Sequence, residues 1–339
     1  MPASPPIKKF LSNSGVRIYR IPCQVFEALS ARVYLLVGAG PPTLLDAGSS
    51  LGVSTRQILA GVEAVRDDFG EAVRPGDVRR IIVSHGHVDH VGGLPELLRT
   101  MPAQVAVHPL DRAAVASCRE HVVTSAVRLN AFFRRAGVEE ARRDELLKMS
   151  PYRWTAREDV AVGLPLEDGD ELDGLRILHT PGHSPGHVCI GVGNVLLSGD
   201  HILSQTLPHL WPESAAAYTG LGHYLESLDK VDRTPGFELA LAAHEQVIHD
   251  VYGRIKTIRS AHRRRLERML EMLRKTGRPL SIDEIARQSY PEVTSFRAVL
   301  AITDVGSRVE YLHQRGQLSV ANLEEIERDE TAVFRYCAV

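Results

Sequence analysis

The stretch "IIVSHGHVDHVGG", residues 81–93, crowds four side chains that can bind metal, His85, His87, Asp89 and His90, into six positions. An apolar run precedes them and two glycines follow. On an extended backbone, side chains at i and i+2 point to the same side, so His85 and His87 can grip one ion from a strand end. Asp89 and His90 lie past that end, where the chain turns toward a helix, and can face a neighbouring point. Gly92 and Gly93 are expected to let the backbone turn sharply beside the ions. One ion needs fewer ligands, so the spacing predicts a two-metal site. A plain histidine-rich loop is the competing reading, and four candidate ligands in this order after an apolar run weigh against it. The chemistry of such a pair is hydrolysis. A water shared by two dications loses its proton near neutral pH and attacks a carbonyl carbon or phosphorus, with no serine or cysteine nucleophile. Asp89 is a candidate catalytic residue that orients this hydroxide.

More histidines follow apolar runs further along, in "TPGHSPGHV" (180–188), "SGDHIL" (198–203) and "AAHEQV" (242–247). Spacing alone leaves His183 and His187 open as alternative ligands. In this order, and together with "LLDAGSS" near the start, these segments resemble the HxHxDH signature and later ligand loops of the metallo-β-lactamase fold superfamily. The resemblance covers roughly residues 15 to 250. It implies an α/β protein with the αββα sandwich of that fold. It also implies one metal held by His85, His87 and His183, a second held by Asp89, His90 and His244, and Asp200 bridging the two. Zinc is the expected metal, with iron and manganese tolerated by the same nitrogen and oxygen ligands. Asp46 is expected to support the metal loops. His187 and His201 are candidate catalytic residues, as partners of the ligands or general acids, with simple packing the alternative. His209 and Trp211, in "LPHLWPE", line a substrate pocket or a plain loop. His108, His121 and His223 are read as structural.

The elements that must position these residues are legible in outline. Strands are expected at 31–38 and 43–48, a helix over 54–70, a strand running into His85, and strands again from 175 to 201 and at 237–244. Alternation of strands and helices, with histidines at strand ends, predicts helix-covered sheets with a site along one rim. Residues 110–160 read as a helical insertion within a catalytic unit of residues 1–250. From 251 to 339 the texture changes to a long basic helix, a short capped helix, a helical stretch in one or two pieces and a hairpin, which is a winged-helix-like pattern.

The 339 residues carry 42 acidic and 40 basic side chains, a balance that argues against coating nucleic acid or an anionic membrane. No apolar stretch reaches spanning length, no h-region opens the chain, and the four scattered cysteines form no CxxC pair. A cytoplasmic setting without membrane partners is the expectation. The C-terminal pattern, "SGDHIL" and "AAHEQV" resemble a subgroup that includes the mitochondrial metallo-β-lactamase-like endoribonuclease. Glyoxalase II, a thioesterase, shares the ligand set, but its motif continues His-Glu-Tyr where this chain has His244-Glu245-Gln246. The favoured function is a dinuclear hydrolase acting on a small acyl ester or thioester, with Arg263, Arg264 and Arg265 available for a phosphate-bearing tail. The alternatives are an endoribonuclease or phosphodiesterase acting on RNA, a lactonase, and a DNA-binding regulator.

Overall fold

The computed structural model describes residues 6–27, 29–50, 53–149 and 158–339; residues 150–157 of the expected helical insertion lie outside them. One sheet holds seven strands in sequence order: β1 (Lys8–Leu11), β2 (Arg17–Phe26), β3 (Leu29–Val37), β4 (Thr43–Leu45), β5 (Arg80–Ile82), β6 (Gln104–Val107) and β7 (Val162–Pro165). Pairing is antiparallel up to β4 and parallel from β4 to β7. The second sheet runs β8 (Glu171–Leu172), β9 (Leu175–His179), β10 (Val188–Val192), β11 (Val195–Gly199) and β12 (Leu239–Ala242), with only the β11–β12 pair parallel. β10 and β11 are buried along their whole length, as strands covered on both faces must be.

Three apolar layers make the sandwich. Between the sheets, Ile18, Leu36 and Ile82 of the first meet Ile177, Ile190 and Leu197 of the second. Outside the first sheet lies helix α1 (Ser54–Phe69), which presents Ile58, Val62 and Val65 at one-turn spacing. The rim after β5 carries two one-turn helices, α2 (Val88–Val91) and α3 (Leu94–Leu97). The insertion contributes α4 (Ala113–Ala116), α5 (Cys118–Arg135) and α6 (Glu140–Met149). Outside the second sheet sit α7 (Leu221–Asp232), through Tyr224 and Leu228, and the first half of α8 (Val251–Thr276), through Val251, Ile255 and Ile258. The order helix, sheet, sheet, helix is the αββα sandwich expected from the sequence.

The last turns of α8 enter a different core. Met269, Leu270 and Leu273 pack with Phe132 and Phe133 of α5, Leu146 of α6, and helices α9 (Ile282–Ser289) and α10 (Phe296–Gln314). A two-stranded hairpin of β13 (Leu318–Val320) and β14 (Tyr336–Ala338), with α11 (Leu323–Arg328) between its strands, closes the chain. The insertion and the C-terminal helices therefore share one apolar core, fastened by Arg142 on Asp283 at 2.6 Å. No described helix is long and apolar enough to cross a membrane.

Two expectations change and one open alternative is decided. The sequence reading starts its strands at residue 31, yet β2 precedes them and pairs along β3, with Pro22 opposite Arg32; the proline and the flanking arginines hide its alternation. The stretch left open as one or two helical pieces is one continuous helix, α10, and Gly306 within it is a site of close packing: a Cβ there would lie 2.5 Å from the Phe132 ring. Gly92 and Gly93 have ordinary helical φ values. Their role is close approach, since a Cβ on Gly93 would lie 2.1 Å from the Ala47 carbonyl.

Candidate metal centre

β5 ends at Ile82, so His85 and His87 stand in the loop beyond the strand rather than on its last residues. The strand stops because Ser84 turns its N–H to Asp46 Oδ1 at 2.7 Å. His87 is the residue that begins α2, and Asp89 and His90 lie on that single turn. His183 comes from the β9–β10 loop, Asp200 from the end of β11 and His244 from the end of β12. All seven expected ligands meet at one rim. The ligand atoms of His85, His87 and His183 form one group, those of Asp89, His90 and His244 another, and those of His85, His90 and Asp200 a third; within each group they lie within 4.8 Å of one another. Asp200 Oδ2 sits 3.5 Å from His183 Nε2, 3.6 Å from His244 Nε2 and 3.8 Å from His90 Nε2, between the other two groups.

A second layer aims these rings. His90 Nδ1 donates to Asp46 Oδ2 at 2.8 Å, and Ser84 Oγ donates to the same oxygen at 2.9 Å. His85 Nδ1 meets Ser84 Oγ at 3.0 Å. His183 Nδ1 donates to the His209 carbonyl at 2.8 Å and His244 Nδ1 to the Ser30 carbonyl at 3.0 Å. With the outer nitrogen engaged, the inner nitrogen of each ring is turned to the site, which is how ligand histidines are fixed in tautomer and direction. Asp46 adopts a positive φ of 65° to reach both Ser84 and His90, a conformation aspartate tolerates better than most residues.

The electrostatics are those of a cation site. Burial pushes His85 and His87 well below the usual imidazole range, and the surrounding histidines add to that. Burial also opposes charge on His90 and His244. There the nearby carboxylates win, Asp46, Asp89 and Asp200 holding His90 up to about 10, and Asp200 and Asp89 holding His244 up to about 9. Among the described residues, His90 Nε2, His183 Nε2 and Asp200 Oδ1 are buried without a hydrogen-bond partner. Each such orphan costs roughly 1–3 kcal/mol. These unpartnered atoms on one rim fit metal ions, whose binding would take the place of the proton on His90, and the imidazole and carboxylate set suits zinc, iron or manganese.

His187 and His201 are placed behind the ligands. His187 is fully buried; its Nε2 accepts the Asp200 N–H at 3.1 Å, and its Nδ1 pairs with Thr180 Oγ1 at 2.8 Å. Burial drives both rings toward the neutral form, His201 down to about 3. His201 is sealed between the His187 ring and Tyr224. Both nitrogens of His187 are engaged and neither ring reaches solvent, which places the two histidines as packed partners behind the ligands. His187 positions the backbone that carries Asp200. His209 and Trp211 form a wall next to His183, where the His209 ring meets Thr303 of α10 at 3.2 Å and Trp211 joins the helical core.

The sequence reading missed Asp111. This buried carboxylate accepts from Gly86 N at 2.8 Å, Ser184 Oγ at 2.8 Å and Gly186 N at 2.9 Å. It ties the loop holding His85 and His87 to the loop holding His183. The one available signal was an aspartate after the apolar strand "AVHPLD". Glu245 was noted only as part of a motif. Its carboxylate accepts from Gln205 N at 2.6 Å, Thr206 Oγ1 at 2.6 Å and Ser204 Oγ at 3.2 Å, pinning the loop after Asp200 to the loop of His244.

This fold and this rim belong to a known class: the chain is a member of the metallo-beta-lactamase superfamily, whose family profile matches residues 27–271. Among curated proteins it is 23% identical over 310 residues to the beta-lactamase-like protein 2 homolog of Drosophila melanogaster, covering 86% of this chain and 91% of that one. It is 23% identical over 267 residues to an atrochrysone carboxyl ACP thioesterase of Aspergillus novofumigatus, covering 74% and 66%. It is 25% identical over 212 residues to a hydroxyacylglutathione hydrolase of Hahella chejuensis, covering 56% and 62%. The matched region thus spans about two thirds of the thioesterase. Among solved structures, a metallo-beta-lactamase family protein of Thermus thermophilus superposes with a TM-score of 0.72 at 25% identity, over 95% of this chain and 98% of that one. A beta-lactamase domain protein of Burkholderia ambifaria gives 0.70 at 21% identity, over 98% and 94%.

Proposed function

We propose that this protein is a dinuclear metal-dependent hydrolase of small acyl thioesters. The observation that carries the reading is the pair of three-ligand groups sharing a rim with Asp200 between them. Two relatives named for thioester cleavage, the ACP thioesterase and the hydroxyacylglutathione hydrolase, support the substrate class. Bound divalent metals would supply an acidified water and polarisation of the carbonyl oxygen. His85, His87 and His183 would hold one ion, Asp89, His90 and His244 the other, and Asp200 would bridge them.

The protein's own groups do the rest. Asp89, with Oδ2 3.3 Å from His244 Nε2, orients the attacking water by hydrogen bonding. Asp46, Ser84 and the Ser30 and His209 carbonyls keep the ligand rings from rotating. His187 fixes the Asp200 backbone. His209, held between His183 and Thr303 of α10, sets the shared helical core beside the metal rim. The thiolate of a thioester departs without a proton at neutral pH, so the absence of a free general acid among the described groups behind the rim suits this substrate better than an amide.

The test is a panel of acyl thioesters, lactones and RNA offered to zinc-, iron- and manganese-loaded protein. Thioester turnover that depends little on salt is expected. RNA cleavage that falls steeply with salt, lost in an Asp200→Ala variant and unaccompanied by acyl turnover, would instead make the protein a nuclease.

A further inference from the structure

A second polar cluster lies outside the metal centre, where α8, α9 and α10 meet. A cavity of about 240 Å³ opens there, lined on its polar side by Arg265, Arg268, Arg308, Ser289 and Tyr290. Arg308 is 2% exposed. Its Nη1 is engaged by Asp304, donating to the backbone carbonyl at 2.7 Å and contacting the carboxylate. Its Nε and Nη2 are buried and have no hydrogen-bond partner among the described residues. Those two nitrogens form one edge of the guanidinium, and their parallel N–H bonds match two oxygens of one tetrahedral anion.

The charge around this edge is unbalanced. Asp304 is the carboxylate of the cluster and already serves Arg308, with Arg265 at 3.9 Å and the Tyr290 hydroxyl at 3.4 Å. Arg268 has no ion pair among the described residues and stands at the exposed mouth. Two guanidiniums, Arg308 and Arg265, thus share one carboxylate, and Arg268 adds a third positive charge to the lining. Leaving a buried guanidinium edge unpaired is costly, and a fold that retains it gains when an anion arrives. Met269 and Met272 form the apolar side of the cavity, room for the organic portion of a phosphoester.

We propose that this cavity is a phosphate-binding site, with Arg308 as its buried anchor, Arg265 and Arg268 as its rim, and a phosphate ester as its ligand. The site stands on these contacts and does not depend on the proposed reaction. It is nevertheless close to it in the chain of contacts: Thr303, next to Asp304, bonds the His209 ring, and the His209 carbonyl holds His183. The phosphate has two possible sources, the thiol half of the substrate or a separate molecule.

Calorimetric titration of the metal-loaded full chain with inorganic phosphate and with pantetheine 4′-phosphate tests it. Beside wild type stand an Arg265→Gln/Arg268→Gln variant, whose side chains are the more exposed, and Arg308→Lys, which keeps charge and loses the fork. Saturable binding is expected, weakened by about tenfold or more in either variant, because each removes charge-assisted hydrogen bonds to the anion. Phosphate bound at the metals would not respond to the double variant, so equal affinity in wild type and that variant overturns the proposal, as does absence of saturable binding to wild type. Turnover then separates the sources. If the substrate carries the phosphate, the double variant raises KM for a phosphopantetheine thioester more than for the same acyl pantetheine. If a separate molecule binds, added phosphate ester alters wild-type turnover of the acyl pantetheine and does so less in the variant. The titration needs no turnover, so its failure is distinguishable from failure of the thioesterase reading.

Discussion

The metal rim and the arginine cavity are both buried polar clusters, built in opposite ways. At the rim, four ligands come from six consecutive positions and the others stand at loop or strand ends. Nearly every outward nitrogen is secured by Asp46, Ser84 or a carbonyl, so only inward-facing atoms are left unpartnered. In the cavity the charged groups come from mid-helix positions of α8 and α10, and one carboxylate secures Arg308 and Arg265. The first cluster tolerates little motion, because metal ligation needs distances held tightly. The second needs only a fixed guanidinium edge and counter-charge. A rim preorganised for metal is thus surrounded by hydrogen-bonded support, whereas the proposed anion site rests on a single anchored side chain.

Substitutions can break or sharpen that contrast. The largest effect is expected at the rim itself: chelation, or Asp200→Ala, should take hydrolysis to background with loss of metal by elemental analysis. Full activity in a metal-free preparation would end the hydrolase reading. One layer out, Asp46→Asn and His187→Ala should retain the ligand set but lower kcat/KM by about 10–100-fold, the usual cost of removing a group that aims a ligand. His183→Ala should lose metal as well as rate, and the reverse pattern between His183 and His187 would exchange their roles. Asp111→Ala leaves three donors in a buried place, and a loss of roughly 2–5 kcal/mol of stability is expected in denaturant titration.

Effects on the helical side should be smaller and appear in stability before rate. Burial pushes the Asp304 carboxyl up, but Arg308 outweighs it and holds it below the usual carboxylate range. A depressed folded value means the contribution is full above the unfolded pKa and is lost as pH falls through the folded one. Wild type should therefore lose stability in acid more steeply than Asp304→Asn, followed by thermal unfolding between pH 6 and about pH 3; parallel curves would show that the pair contributes nothing net. Gly306→Ala drives a Cβ toward the Phe132 ring and should cost about 1–3 kcal/mol, less what alanine returns in helix propensity. No loss there would mean that α5 and α10 are not as closely packed as drawn.

In the sequence alone the 85–90 cluster and the strands and helices that predict covered sheets with a rim site are legible, while the later candidate ligands and the sandwich are what the family resemblance implies. The physical reason is locality: ligand spacing, apolar periodicity and terminal glycines act over a few residues, and metal chemistry admits few side chains. It left other matters open. His183 and His187 are equivalent by spacing, and only the packed sheet edge shows one ring facing the rim and the other accepting the Asp200 N–H. Asp111 is one aspartate among many until the loops at 86 and 186 close on it. The basic run 263–265 divides the same way, with Arg263 and Arg264 exposed and Arg265 in the cavity. Arg308 looks like a surface residue of a helix, and becomes a buried half-paired guanidinium only because α8, α9 and α10 enclose it. Burial, and the identity of the partner that satisfies each polar atom, are set by contacts between residues far apart in the chain, and those are decided by the tertiary structure.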